Sequence, residues 1–181
     1  MSPVSRLDRT ERPAVWTGEQ KILKREEIRR LLFAAPPRFR TLLATAVFTG
    51  LRQGELLGLR WAEVDFEQSA LKVRSSLDRQ GRRSEPKTRH ARRDVVLMRS
   101  LARLLQEYRE ASSFAAPTDF VFSSYRGTPL YWRNVARRAL QPALTNAGLE
   151  HRRWHDLRHT FASLLIAEGG NIVYVSRAAL L

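Results

Sequence analysis

Three short stretches of this 181-residue sequence hold side chains whose types and spacing could do chemistry. In WHDLRHTFASLL, a helix would bring His155, Arg158 and His159 to one face, because they fall at i, i+3 and i+4. Phe161, Leu164 and Leu165 would take the core side of that helix. Two imidazoles beside a guanidinium make a poor metal site, since Arg repels a cation and no Cys or suitably spaced carboxylate is present. They make a good anion site, although core-satisfied histidines fit the same pattern. In TGLRQGELLGLRW, Arg52 follows an apolar segment and Glu55 lies three residues on, where one turn returns its carboxylate to the guanidinium or to a backbone donor. A solvated surface pair has the same spacing. In SEPKTRHARRDVVL, Lys87 stands among Arg82, Arg83, Arg89, Arg92 and Arg93. Like charges lower the pKa of a Lys, which suits proton donation to a leaving oxygen, while the Arg residues suit phosphates.

Taken together, two separated Arg residues, a Lys on a basic hairpin and a His-x-x-Arg helix describe a pocket for a phosphodiester. The guanidiniums would neutralise the non-bridging oxygens as a pentacoordinate transition state forms, and Lys87 or a His would handle protons.

Bulk composition agrees with that target. The net charge is +14, and all but four of the 32 basic residues are Arg, whose fixed fork of donors suits phosphate oxygens. Coding bias alone also produces Arg-rich chains, so composition points to a polyanion without separating binding from catalysis. Apolar residues make up 43% of the chain, enough for a globular core. No apolar run of membrane-spanning length occurs, the N-terminus lacks an apolar secretory core, and there is no cysteine for a disulfide or thiolate metal site. The expectation is a cytoplasmic protein away from the membrane.

The elements that must position these groups follow from periodicity. Residues 1–20 are polar and aperiodic and are expected to form a linker or arm, with a single domain over 21–181. KREEIRRLLFAA reads as a helix ended by Pro36-Pro37, and FRTLLATAVFTG as a second, buried helix closed by Gly50. LRQGELLGLRWAEVDF continues as short helical turns. SALKVRSSL and RRDVVLM alternate like strands around a polar, turn-prone connection, so a small antiparallel sheet with a long basic hairpin is expected. Helical periodicity returns in SLARLLQEYREA, in a helix from about Leu130 to Ala147, and in the His-x-x-Arg stretch. The fold class is α+β, mainly α: a single helical domain with a small antiparallel sheet.

TGLRQGELLGLRW, PKTRHARRDVVL and HDLRHTFAS resemble, in order and spacing, the catalytic-domain boxes of the tyrosine recombinases, the phage-integrase family. The resemblance covers roughly residues 22–177. It implies that Arg52 and Arg158 grip the scissile phosphate, that Lys87 is the general acid for the leaving 5′-hydroxyl, and that His155 assists by hydrogen bonding and proton transfer. Glu55 would buttress the first box, with His159 in support, and Arg82, Arg83, Arg89, Arg92 and Arg93 would meet DNA. The family uses no metal or nucleotide cofactor. Its nucleophile is a tyrosine, which stores the bond energy as a 3′-phosphotyrosine link.

Two departures accompany the resemblance. Only about twenty residues precede the first catalytic helix where members carry a core-binding domain. NIVYVSR resembles the approach to the family's Leu-Gly-His box, but ALL stands in that box's place and no later Tyr follows. Tyr174 sits where the family packs its core, and Tyr108, Tyr125 and Tyr131 match no family nucleophile. The expectation is a catalytic domain truncated at both ends, without its nucleophile, that binds double-stranded DNA and associates with other recombinase protomers. The alternatives are a non-enzymatic DNA-binding or regulatory module, and an enzyme that borrows a tyrosine in trans.

Overall fold

The computed structural model describes residues 21–84, 92–167 and 169. The expected arm at 1–20, Lys87, Arg89 and Tyr174 lie outside them. Helices α1 (Arg25–Ala34), α2 (Pro37–Thr49) and α3 (Gln53–Gly58) come first, then a tight turn at Trp61–Glu63. Strands β1 (Val64–Asp65), β2 (Ala70–Val73), β3 (Ser76–Leu77), β4 (Arg83–Ser84) and β5 (Arg93–Val96) follow. Helices α4 (Arg99–Glu110), α5 (Trp132–Val135), α6 (Gln141–Asn146) and α7 (Trp154–Ala167) complete the described elements.

A recurring local device starts four of the helical segments. A basic residue at the N-cap is followed three positions later by an acid that accepts the N-cap's own backbone N–H. The pairs are Lys24 with Glu27 at 2.7 Å, Arg52 with Glu55 at 2.8 Å, Arg60 with Glu63 at 2.9 Å, and Arg153 with Asp156 at 2.6 Å. Each is half of a capping box, and each acid also sits at the positive end of the helix dipole.

Helix α2 is buried along most of its length, as its all-round apolarity requires. Its buried threonines stay satisfied by bonding back along the helix, as when the Thr45 hydroxyl donates to the Thr41 carbonyl at 2.8 Å. Pro37 supplies a preset first turn, and Gly50 ends the helix in the left-handed region at φ 60°. Around α2 pack α1, α3, α4 and α7, with Leu31, Leu43, Val47, Leu56, Leu105 and Leu140 among the fully buried side chains.

The strands divide differently from the single sheet expected. β1, β2 and β5 form one antiparallel sheet in that order, with Leu71 opposite Val95 and Val73 opposite Arg93. β3 and β4 form a separate two-stranded ribbon, with Leu77 opposite Arg83. SALKVRSSL thus supplies two strands, because β3 turns away to pack on α3. Contact there is close: a Cβ on Gly54 would come within 2.3 Å of the Leu77 carbonyl oxygen, so only glycine fits. The helix expected at about 130–147 is present from Trp132 to Asn146, with a widened π turn at Ala136–Leu140 in its middle.

Among the described residues, no helix is long and apolar enough to cross a membrane, and no cluster of His, Cys, Asp or Glu could hold a metal ion.

Candidate functional site

The site forms where the end of α2 meets α7. Gly50 closes α2, and two residues later Arg52 caps α3, so Arg52 is held between two helix ends. From α7, Arg158 reaches back across 108 positions of sequence. Its Nη1 donates to the Gly50 carbonyl at 2.6 Å, and the residue is only 3% exposed. A left-handed Gly50 and an adjacent Phe161 make this approach possible: the Phe161 ring lies where a Gly50 Cβ would be, at 2.3 Å. The same α7 segment fixes the helix start, with Thr160 bonded to the Asp156 carbonyl and accepting the Leu23 N–H at 3.0 Å.

Burial of a guanidinium is unfavourable, and the neighbouring Arg52 charge adds to the cost. These two effects, only partly offset by Glu55, pull the Arg158 pKa down to about 10. Arg158 therefore remains a cation at neutral pH, and it sits close enough to Arg52 for their charges to repel. Two like charges held together by the fold are an electrostatic demand for an anion.

Glu55 ties the first Arg down. Its carboxylate, 6% exposed, accepts the Arg52 backbone N–H at 2.8 Å and the Arg52 Nη1 at 3.3 Å. It also receives both η nitrogens of Arg93, at 3.0 and 2.8 Å. Burial would raise the Glu55 pKa, but the Arg93 hydrogen bonds and charge, followed by the Arg52 contacts, more than offset it and hold the carboxyl below its ordinary value.

His155 and His159 lie on α7 beside this centre, their rings edge to face with centroids 4.6 Å apart. His155 is exposed, and its pKa is lowered by partial desolvation, then by the charges of His159 and Arg158. It is neutral near pH 7 and able to accept or pass on a proton.

Arg158 therefore joins Arg52 and Glu55 in one cluster, and His155 and His159 stand next to Arg158 on α7. Arg82 and Arg83 do not join them: Arg82 Nε pairs with Asp78 at 2.8 Å, and Arg83 Nη2 pairs with Glu63 at 2.8 Å, on the β3–β4 ribbon. Arg92 is exposed and lines an open hollow of about 370 Å³ with Arg74, Arg93 and Asp94. Arg93 departs most from expectation. Read from sequence as a DNA-facing residue of the hairpin, it turns its guanidinium inward onto Glu55. The tyrosines among the described residues also divide: Tyr108 packs in the core against Trp61 and Phe122, with burial raising its pKa, while Tyr125 and Tyr131 are exposed in the loop before α5.

A separate apolar groove of about 440 Å³ runs between α1, α2 and α7, lined by Ile28, Leu32, Phe48, Phe161, Leu164 and Leu165 among others. Its lining includes neither Arg52 nor His155, so the charged chemistry and the apolar hollow are distinct.

Residues 21–179 match the phage integrase family. A tyrosine recombinase XerC-like protein of Caldanaerobacter subterraneus subsp. tengcongensis is 31% identical over 175 residues, covering 83% of this chain and 44% of that protein. The ICEBs1 integrase of Bacillus subtilis is 27% identical over 181 residues, covering 93% of this chain and 49% of that one. The chain thus spans about half the length of these relatives. In three dimensions it is similar to the XerA recombinase crystal structure, with a TM-score of 0.73 at 25% identity over 93% of this chain and 56% of that one. It also matches the fold of the Tn1549 transposon integrase bound to a circular-intermediate DNA, at a TM-score of 0.76, 20% identity, and coverage of 96% and 60%. The family match over nearly the whole chain, joined to a fold shared with recombinases, shows that this chain belongs to the phage integrase family of tyrosine recombinases.

Proposed function

We propose that the chain carries the phosphate-gripping part of a DNA breaking-and-rejoining site, used in cytoplasmic integration or recombination of double-stranded DNA. The observation that carries this reading is the Arg158–Gly50 bond, which sets one buried guanidinium two residues from Arg52. Both cations would face the non-bridging oxygens of one phosphodiester and stabilise the charge that gathers there as a fifth ligand approaches phosphorus. A tyrosine hydroxyl oxygen forms the new bond to phosphorus, and the bond from phosphorus to the 5′-oxygen breaks. The tyrosine loses its proton, and the 5′-oxygen gains one. Lys87 is assigned the second transfer through its place in the family's second box, and neutral His155 assists proton movement at the phosphate. Rejoining reverses these steps, so no external energy source is consumed.

The site's own chemistry needs only side chains, and its excess of positive charge is directed at the substrate rather than at a bound cofactor. Protomers of the same family would assemble beside it on DNA. One relative arrangement has the tyrosine donated by a neighbouring protomer. Among the described residues, Tyr108 packs in the core and Tyr125 and Tyr131 stand in the loop before α5, which is compatible with that arrangement.

A suicide substrate, nicked so that cleavage is trapped, tests this reading. The chain is incubated with it alone, and also together with a full-length relative whose own two site Arg residues have been changed. A covalent protein–DNA adduct in either incubation, lost with Arg158→Ala in this chain, supports the reading. Sequence-specific footprinting without any adduct, and tolerant of Arg158→Ala, supports a non-enzymatic DNA-binding module instead.

A further inference from the structure

We infer that Arg93 is a positioning residue for the phosphate grip: it occupies the Glu55 carboxylate so that Glu55 fixes the Arg52 backbone without neutralising the Arg52 guanidinium. The inference rests on the reading of Arg52 as a phosphate ligand.

The geometry of one carboxylate carries it. An ionised carboxylate offers about four acceptor positions. At Glu55, three are filled by short bonds: two from Arg93 at 3.0 and 2.8 Å, and one from the Arg52 backbone N–H at 2.8 Å. The Arg52 guanidinium receives what is left, a single contact at 3.3 Å. The exposures follow the same division, with the Arg93 side chain at 11%, Glu55 at 6% and Arg52 at 42%. The stronger, two-point, desolvated pairing belongs to Arg93, and the weaker, single-point, wetter one to Arg52. Arg52 is therefore held at its backbone while its charged end stays available.

Without Arg93, the Arg52 side chain would be the nearest cation to a buried carboxylate three residues away. It would be drawn into two-point pairing with Glu55, and its charge would be lost to the phosphate. Lysine cannot replace Arg93, because an ammonium is a point charge without the planar fork that covers both oxygens. The strand register explains why Arg93 can do this. Arg93 shares a face of β5 with buried Val95 and stands opposite buried Val73, so its side chain leaves the sheet on the core side, toward α3.

The test titrates inorganic phosphate into the full 181-residue chain and follows the Arg52 Nε–Hε resonance by NMR. Arg93→Lys, which keeps the net charge, is expected to weaken phosphate binding by about threefold or more and to shift the Arg52 resonance before any phosphate is added. In a Glu55→Gln background the same substitution is expected to have no further effect. The charge-balanced double variant Glu55→Gln/Arg93→Met removes the ion pair while the introduced amide oxygen can still accept the Arg52 backbone N–H, and it is expected to bind phosphate more tightly than Arg93→Lys. It also keeps the test decisive if Arg93→Lys alone melts near the assay temperature. Native-like binding by Arg93→Lys overturns the inference. So does an Arg93→Lys effect that persists with Glu55→Gln, or a loss of about tenfold in the double variant, since each would mean that Arg93 meets the anion directly. Arg52→Ala serves as the reference: if it binds phosphate as the native chain does, the phosphate-ligand reading itself fails and this inference falls with it.

Discussion

Arg158 donates a 2.6 Å hydrogen bond to the carbonyl of Gly50, and this contact locks the His-x-x-Arg helix to the turn that presents Arg52. The bond uses a carbonyl that a helix end leaves without an intrahelical partner. One interaction thereby satisfies a helix terminus and orients a buried cation.

Gly50 should be intolerant of any side chain. Its φ of 60° disfavours L-residues, and a Cβ there would overlap the Phe161 ring at 2.3 Å. Gly50→Ala is expected to destabilise the fold by about 1–3 kcal/mol, as overpacking of a filled site does. Chemical denaturation measures this, and a Phe161→Leu second change should recover part of the loss. An unchanged midpoint for Gly50→Ala would mean that the turn does not hold the arrangement described.

The Arg93–Glu55 pair makes a sharper stability prediction than the surface pairs around it. Removing Arg93 takes the two-point partner from a buried carboxylate and leaves only the wetter Arg52 guanidinium to replace it, so Arg93→Met is expected to cost somewhat less than the about 3–5 kcal/mol of a fully unpaired buried charge. Arg103→Met, which breaks a pair whose Arg side chain is 83% exposed, should change stability by less than about 1 kcal/mol. Parallel urea titrations of the two variants give the comparison directly.

Glu55 also sets an acid limit. Its folded pKa lies below its ordinary 4.5, so the folded state holds this proton less readily than the unfolded chain. The stabilisation is fully present above the unfolded value and is lost as pH falls through the lower, folded one. As pH falls through 4.5 and below, the native chain should therefore lose stability more steeply than Glu55→Gln, which has no such proton to take up.

His155 acts in a different window. Because its pKa is lowered from 6.5, the unfolded chain takes up a proton first as pH falls, and stability declines from about pH 6.5 toward the folded midpoint. A bound phosphate would counter the surrounding positive charge, so the His155 midpoint should rise when phosphate is added. NMR titration of the imidazole with and without phosphate checks both directions.

DNA binding should be strongly electrostatic. With a net charge of +14 and about six phosphate contacts, the slope of log affinity against log salt is expected near −5. A flat dependence, measured with a labelled duplex, would remove the basis for backbone recognition.

Much of this arrangement is legible in the sequence, and the exceptions have identifiable causes. Glu55 and Arg158 announce themselves because each occurs at fixed spacing within a patterned helix, and Arg52 because it follows the glycine that closes one. The division of the strands into two sheets does not, since alternation in SALKVRSSL marks strands without marking where one leaves its partner to pack on Gly54. Arg93 was hidden by its neighbours: in RRDVV a run of basic residues suggests a solvated, DNA-facing surface. Yet the period of two places Arg93 in phase with Val95, which is buried, and out of phase with exposed Asp94 and Val96. Strand phase, rather than charge density, carries the information about which Arg turns inward. The basic-x-x-acidic helix starts were likewise present in the text of the sequence, but side-chain ion pairing masks their main work, which is to cap a backbone N–H.

The central claim is that Arg52 and Arg158 hold one phosphate together, and a double-mutant cycle with inorganic phosphate tests it most directly. Arg52→Ala and Arg158→Ala are each expected to weaken phosphate binding by about tenfold or more, and the double variant by clearly less than the product of the two losses, because the groups act on one ligand. Phosphate affinity unchanged in both single variants, with the fold intact, would contradict the shared grip.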